Sequence, residues 1–172
     1  FYKYIWEFIF IKLKKKEFYY NNKKMDNNIT TFKINVLDRQ YNDFNIINLN
    51  IGEKIDIKID PVKNKLFDQD IFKINNDVEI QHSLVRSMVN IPAIIVLEGN
   101  RVYGKTKKGR PLYRCIPDNR NLPEFLVPYT MKARFNKKND NKYVLFKFNN
   151  WNNKHPEGRL VNVIGCVSIL EN

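Results

Sequence analysis

The sequence predicts an all-β chain. Its second half reads as a five-stranded, OB-type (cold-shock-like) barrel, preceded by a second, degenerate small β-barrel. Three observations lead there. Aromatic residues make up 13% of the chain and Ile is abundant, and such side chains suit a pleated, half-buried surface. Ala, the strongest helix former, is nearly absent, so no stretch carries the usual helical filler. Short runs of period-two alternation recur at roughly 8 to 12 residue spacing between turn-forming residues, as in small barrels and sandwiches. A length of 172 residues accommodates one ordinary domain, or two of roughly 70 to 90 residues each. The patterning favours two: residues 25–91 and residues 92–172, with residues 1–24 an upstream tail or a non-native extension.

The tail, FYKYIWEFIFIKLKKKEFYYNNKK, does not read as a membrane span. Its apolar part, Tyr4 to Leu13, is interrupted by Glu7 and falls well short of the ~20 residues a span needs. A signal peptide places its basic residues first, whereas here Lys12 to Lys16 follow the apolar run. Met25 opens the polar stretch MDNNITTF and reads as the natural initiator.

In the first module TFKINVL (31–37) and NIINLNI (45–51) alternate as half-buried strands. KIDIKID (54–60) puts Ile55, Ile57 and Ile59 on one face and charges on the other, until Pro61 ends it. LFDQDIFKI (66–74) holds a turn-like Asp-Gln-Asp between apolar pairs, and VEIQHSLVR (78–86) reads as one more strand. The acidic residues alternate with apolar ones, which is the pattern of a solvated strand face. The single His82 reads as a surface or satisfied polar residue rather than a ligand.

The second module offers five strands in order. IPAIIVLEG (91–99) is a continuous β-branched run, buried on both faces or curled into a barrel. A basic turn, KTKKGR (105–110), leads into PLYRCIP (111–117), in which Leu112, Arg114 and Ile116 oppose Tyr113 and Cys115. EFLVPY (124–129) follows, then a basic connection through residues 131–142, then YVLFKF (143–148) and RLVNVIGCVSIL (159–170). Gly165 marks a bulge or bend in the last strand.

The net charge is +12, unevenly spread. Residues 1–24 hold seven basic and two acidic side chains, residues 25–91 eight and ten, and residues 92–172 fifteen and six. The second module, at +9, therefore attracts a polyanion, and it carries no amphipathic basic helix that would direct it to a membrane surface. Lys105, Lys107, Lys108 and Arg110 lie in one turn, and Lys132, Arg134, Lys137 and Lys138 in another. Arg114, Lys154 and Arg159 add to them. Barrels of this type hold single strands with a basic groove and aromatic platforms. Tyr103, Tyr113, Phe135 and Trp151 are the candidate platforms. For Tyr113 core packing is an equal reading, and for Trp151 a packed corner competes with stacking.

Other chemistries find little support. Cys115 and Cys166 sit in apolar runs and read as buried thiols in a reducing compartment, cytoplasmic or nuclear. Two His without a CxxC or HxxxH pattern do not make a zinc site. Gly99 to Thr106 satisfies the spacing of a phosphate-binding loop, but Gly109 and Pro111 halt the helix that such a loop must open. No nucleophile–base arrangement stands out, so the chain by itself reads as non-catalytic.

CIPDNRNLPEFLVPY (115–129) followed by YVLFKFNNWNNKHPEGRLVNVIG (143–165) resembles the second cold-shock-type module of the RNase II/RNase R (RNB) exoribonuclease family. That family includes the exosome-type enzymes, and the overall flavour is closest to versions encoded by giant DNA viruses. The matching positions are Pro117, Asp118, Arg120 and Pro123, then Trp151, Pro156, Gly158 and Gly165. NKLFDQDIFKI looks like a degraded first cold-shock module through Phe67, Asp70 and Phe72. The resemblance implies a single-stranded RNA partner and a 3′–5′ exoribonuclease parent. It also implies a downstream RNB domain whose aspartates bind Mg²⁺. No match to that aspartate cluster occurs in this chain, which is expected to be the RNA-feeding N-terminal portion. A stand-alone OB nucleic-acid module and a structural or protein-interaction β-domain are the alternatives.

Overall fold

The structure, a computed structural model, describes residues 30–131 and 139–170. Among these residues ten strands form two sheets. In the first, β1 (Thr31–Val36) lies at the centre, flanked by β2 (Phe44–Asn48) and β4 (Ile71–Ile74). β3 (Glu53–Ile55) and β5 (Val78–His82) form the edges. The second contains β6 (Ile91–Ile95), β7 (Leu112–Pro117), β8 (Phe125–Pro128), β9 (Lys142–Asn150) and β10 (Glu157–Cys166). It closes into a barrel in the order β10-β8-β7-β6-β9.

The barrel has the OB strand order. The meander β6-β7-β8 is antiparallel, β9 returns beside β6, and β10 bridges β9 to β8, the last pairing being parallel at Glu157 and Leu126. Period-two alternation does the work here, since successive side chains point to opposite faces. Ile91, Ala93 and Ile95 of β6, Tyr113 and Cys115 of β7, Phe125 and Val127 of β8, and Val144 and Phe146 of β9 fill the interior. The continuous apolar run at 91–99 is thus a curled barrel strand, followed by a tight turn at Glu98–Asn100 in which Gly99 and Asn100 have φ of 72° and 54°. Gly165 coincides with a register shift against β9, as its position in the strand implied. Gly158 answers to a different demand. A Cβ there would lie 2.5 Å from the Phe146 ring and 3.1 Å from Val127, so β10 crosses the core at a distance only glycine allows.

The first sheet has the same order, β3-β2-β1-β4-β5, as the second would if opened between β8 and β10. It is not closed: β3 has only three residues and pairs with β2 alone. The degenerate module is therefore an open antiparallel sheet, not a second barrel. The reason lies in KIDIKID. Ile55, Ile57 and Ile59 do pack against the core of Phe32, Ile34, Val36, Tyr41, Ile46, Leu66 and Phe72, but residues 56–60 pair with no strand. Alternation specifies which side chains face inward, not whether the backbone finds a ladder partner.

Two further boundaries differ from expectation. VEIQHSLVR stops being a strand at His82. Ser83 then caps a one-turn helix, α1 (Leu84–Ser87), by accepting from the Arg86 amide. The last strand begins at Glu157 and ends at Cys166, followed by the short helix α2 (Val167–Leu170).

The two sheets meet through residues 65–70 and Arg86. Phe67, fully buried, leaves its own sheet and closes one end of the barrel against Phe125, Phe148 and Trp151, with ring centroids at 5.7, 5.5 and 4.7 Å. The Arg86 guanidinium covers Phe67 and Phe148 at 4.9 and 5.4 Å. It also donates to Asp70 at 2.7 Å, to the Lys65 carbonyl at 2.6 Å and to Ser83 Oγ at 3.0 Å. Arg39 donates to the Pro117 carbonyl at 2.8 Å. Burial pushes the Asp70 carboxyl up, outweighing the downward pull of Ser83, the Phe67 amide and Arg86. Phe67 and Asp70 are two of the positions that suggested a degraded motif; here they form the joint between the modules.

Candidate nucleic-acid interface

The connection between β6 and β7 is a small hairpin. Tyr103 donates its amide to the Leu112 carbonyl, and Leu112 donates back to Gly104. Lys105 bridges Pro111, and Thr106 donates to the Arg110 carbonyl. Gly104 and Gly109 have φ of 134° and 77°, a region that L side chains rarely adopt, and Gly109 lets the chain reverse at the tip. The phosphate-loop spacing from Gly99 to Thr106 therefore sits on a hairpin, with no helix after it. Lys105, Lys107, Lys108 and Arg110 are all exposed on this arm, in the loop that OB barrels commonly use for nucleic acid. Arg101 lies 5.0 Å over the Tyr103 ring at its base.

Beside this arm, β8 and β10 share a single bridging pair, Leu126 and Glu157. A cleft of about 620 Å³ opens beyond it, lined by Pro128 to Thr130 on one side and Arg159 to Val161 on the other. Arg110, Lys147 and Val89 complete it. Lys147 and Arg159 are direct cross-strand neighbours. Like charges so placed are destabilising, and among the described residues none of Arg110, Lys147 and Arg159 has a carboxylate partner. An unneutralised cluster held against its own repulsion is suited to an anionic ligand.

The expected site residues are thus only partly brought together. Arg110 and Arg159 meet in the cleft, with Lys105, Lys107 and Lys108 on the adjacent arm. Arg114 is on the β7 surface, 3.6 Å from Glu124. Lys154 is exposed in the β9–β10 loop, at the other end of the barrel: Ile91 pairs with Phe146 and Ile95 with Lys142, so that loop lies beyond the start of β6 and the basic arm beyond its end. Lys132, Arg134, Phe135, Lys137 and Lys138 lie outside the described residues, as do residues 1–24 and Met25.

Two candidate platforms are corrected. Tyr113 is 3% exposed and Trp151 is 6% exposed, so neither offers a ring face to a base. Tyr113 points into the barrel, as an odd-numbered residue of β7 must when Cys115 does. Trp151 is the packed corner: its indole N–H donates to the Lys154 carbonyl at 3.4 Å, its ring meets Phe67, and Lys65 Nζ lies 5.6 Å over it. Cys115 is buried and burial pushes its thiol up, which removes it from nucleophilic chemistry. Cys166 is half-buried rather than buried.

Sequence reading missed Lys147 and Tyr129. Lys147 lies inside an apolar strand and gave no cluster signal. Tyr129 directly follows β8, next to Pro128; its half-buried ring makes an edge-to-face contact with Tyr113 at 6.4 Å and 82°. Among the described residues, no three His, Cys, Asp or Glu side chains group as metal ligands, and no helix is long and apolar enough to cross a membrane. No family model and no curated protein matches this sequence.

Proposed function

We propose that the chain binds single-stranded RNA along the basic arm and the β8–β10 cleft. We further propose that it serves as the RNA-feeding portion of a 3′–5′ exoribonuclease whose catalytic domain is not in these residues. The observation that carries the binding reading is that Arg110, Lys147 and Arg159, without carboxylate partners among the described residues, line one cleft of an OB-ordered barrel. The nuclease attachment rests on the resemblance of residues 115–129 and 143–165 to the RNB family. A processive nuclease must retain its strand while it advances, and contacts from Lys and Arg to phosphates supply a hold that ignores base sequence. With Tyr113 and Trp151 buried, stacking contributes less than such barrels usually allow, and the phosphate term dominates.

The test is a polarisation titration of a labelled single-stranded RNA against the whole chain at several salt concentrations. If the six cations of arm and cleft all contact phosphates, log K against log[salt] has a slope of about −4, a loss of roughly 300-fold between ~50 and ~200 mM salt. Replacing Lys147 and Arg159 by Gln lowers the slope by about 1.4. Affinity indifferent to salt, or stronger binding to a duplex, refutes the proposal and favours a protein-interaction role.

A further inference from the structure

The cleft is not merely cationic. Its lining also holds Val89, Pro128, Tyr129, Leu160 and Val161. Tyr129 and Leu160 pack against the barrel core from the cleft side, while Val89 and Val161 are 68% and 47% exposed and add little to it. Phosphates alone have no use for them, because a phosphate-only track is served by cations on a hydrated surface. We infer that the cleft seats one unpaired nucleotide, its base against the Tyr129 ring and its flanking phosphates on Arg110, Lys147 and Arg159. This rests on the RNA-binding reading above and gives it a defined subsite.

Three features support this occupant. First, the mixture of a half-buried aromatic, aliphatic walls and cations without a carboxylate partner among the described residues matches the two surfaces of a nucleotide, a flat apolar base and an anionic linkage. Second, Tyr129 is positioned from behind. Its amide donates to the Pro111 carbonyl at 3.2 Å, and its ring is braced edge-to-face by the buried Tyr113. A ring fixed before the ligand arrives loses little freedom on stacking. Third, β8 and β10 bound the cleft on both sides, so a base must leave its helix to enter, and an unpaired strand is admitted more readily than a duplex. Tyr113 thereby has a role despite its burial: it positions Tyr129.

The experiment uses the whole chain and a labelled oligouridylate, compared with a fully abasic oligomer of the same length. Tyr129→Phe keeps the affinity, and Tyr129→Ala weakens it by about 5- to 150-fold, the range for loss of one stacked base. The fully abasic oligomer binds the wild-type chain more weakly by a similar factor and binds the Tyr129→Ala chain as the oligouridylate does. Because Tyr129 packs on Tyr113, folding of the variant is checked by its thermal melt. A photo-crosslink from 4-thiouridine RNA to the unmutated protein gives an independent readout. Adducts at residues 128–130 support the subsite; adducts confined to the β7 surface around Arg114 overturn it. Salt-sensitive RNA binding that Tyr129→Ala does not change overturns the subsite and leaves the phosphate track standing. Absence of RNA binding by the unmutated chain removes both.

Discussion

Replacing Phe67 by Ala tests whether the two sheets are one folding unit. Phe67 is fully buried and touches three aromatic rings of the barrel within 6 Å, yet it belongs to a segment of the first sheet. Truncating a buried Phe to Ala costs about 3 to 5 kcal/mol, the lost transfer energy plus a residual cavity. The upper end is expected here. Phe125 and Trp151 belong to separate barrel elements that cannot both move into the gap, and Arg86 loses one of the two rings beneath its guanidinium. Against a total stability of about 5 to 15 kcal/mol, that is a third or more of the whole for a typical domain. The assay is urea unfolding in a Trp6→Phe background, so that Trp151, 4.7 Å from Phe67, reports on the joint, while far-ultraviolet circular dichroism reports on both sheets. The two probes should coincide in the unmutated chain. In Phe67→Ala the midpoint drops and the fluorescence change precedes the loss of strand signal. A loss below about 1 kcal/mol, or separate transitions before mutation, would refute the reasoning that Phe67 makes the barrel depend on its neighbour.

Two other perturbations address the barrel and the joint. Gly158→Ala forces a methyl against the buried Phe146 ring and Val127, and should destabilise by about 1 to 3 kcal/mol in thermal or urea melts; an unchanged midpoint would show that β10 can shift without loss. Asp70 has a native carboxyl raised above its ordinary 3.8 by burial, so the native state binds its proton more tightly than the unfolded state. Its contribution to stability is therefore full below about pH 3.8 and is lost as pH rises through the raised native value. Subtracting the pH–stability curve of Asp70→Asn from that of the unmutated chain should leave a difference that falls as pH rises through that window. A difference that climbs with pH would mean that Arg86 outweighs burial.

Much of the architecture was legible because side-chain facing in a strand has period two. TFKINVL, PLYRCIP and YVLFKF show their inward residues directly, and the burial of Phe32, Ile34, Val36, Tyr113, Cys115, Val144 and Phe146 follows the alternation. The same signal misled at KIDIKID, where Ile57 and Ile59 face a core without a ladder. It could not show that Ser83 would cap a helix in place of a fifth strand's continuation. At the site, the arm from Lys105 to Arg110 was visible as a charge cluster. Lys147 was not, because its cationic neighbour Arg159 is twelve positions away in sequence and opposite it only once β9 and β10 pair.

The sequence by itself determined that this chain builds sheets, which side chains turn inward along most strands, and that the positive charge is concentrated in the second module. Those properties are local: alternation, turn chemistry and charge need no knowledge of distant partners. Which aromatics remain outside, which cations share a cleft, and that Phe67 stops the end of a barrel it does not belong to were decided by tertiary structure. Closure of the barrel sets residues far apart in the chain side by side, and it leaves a gap where β8 and β10 meet at one pair alone.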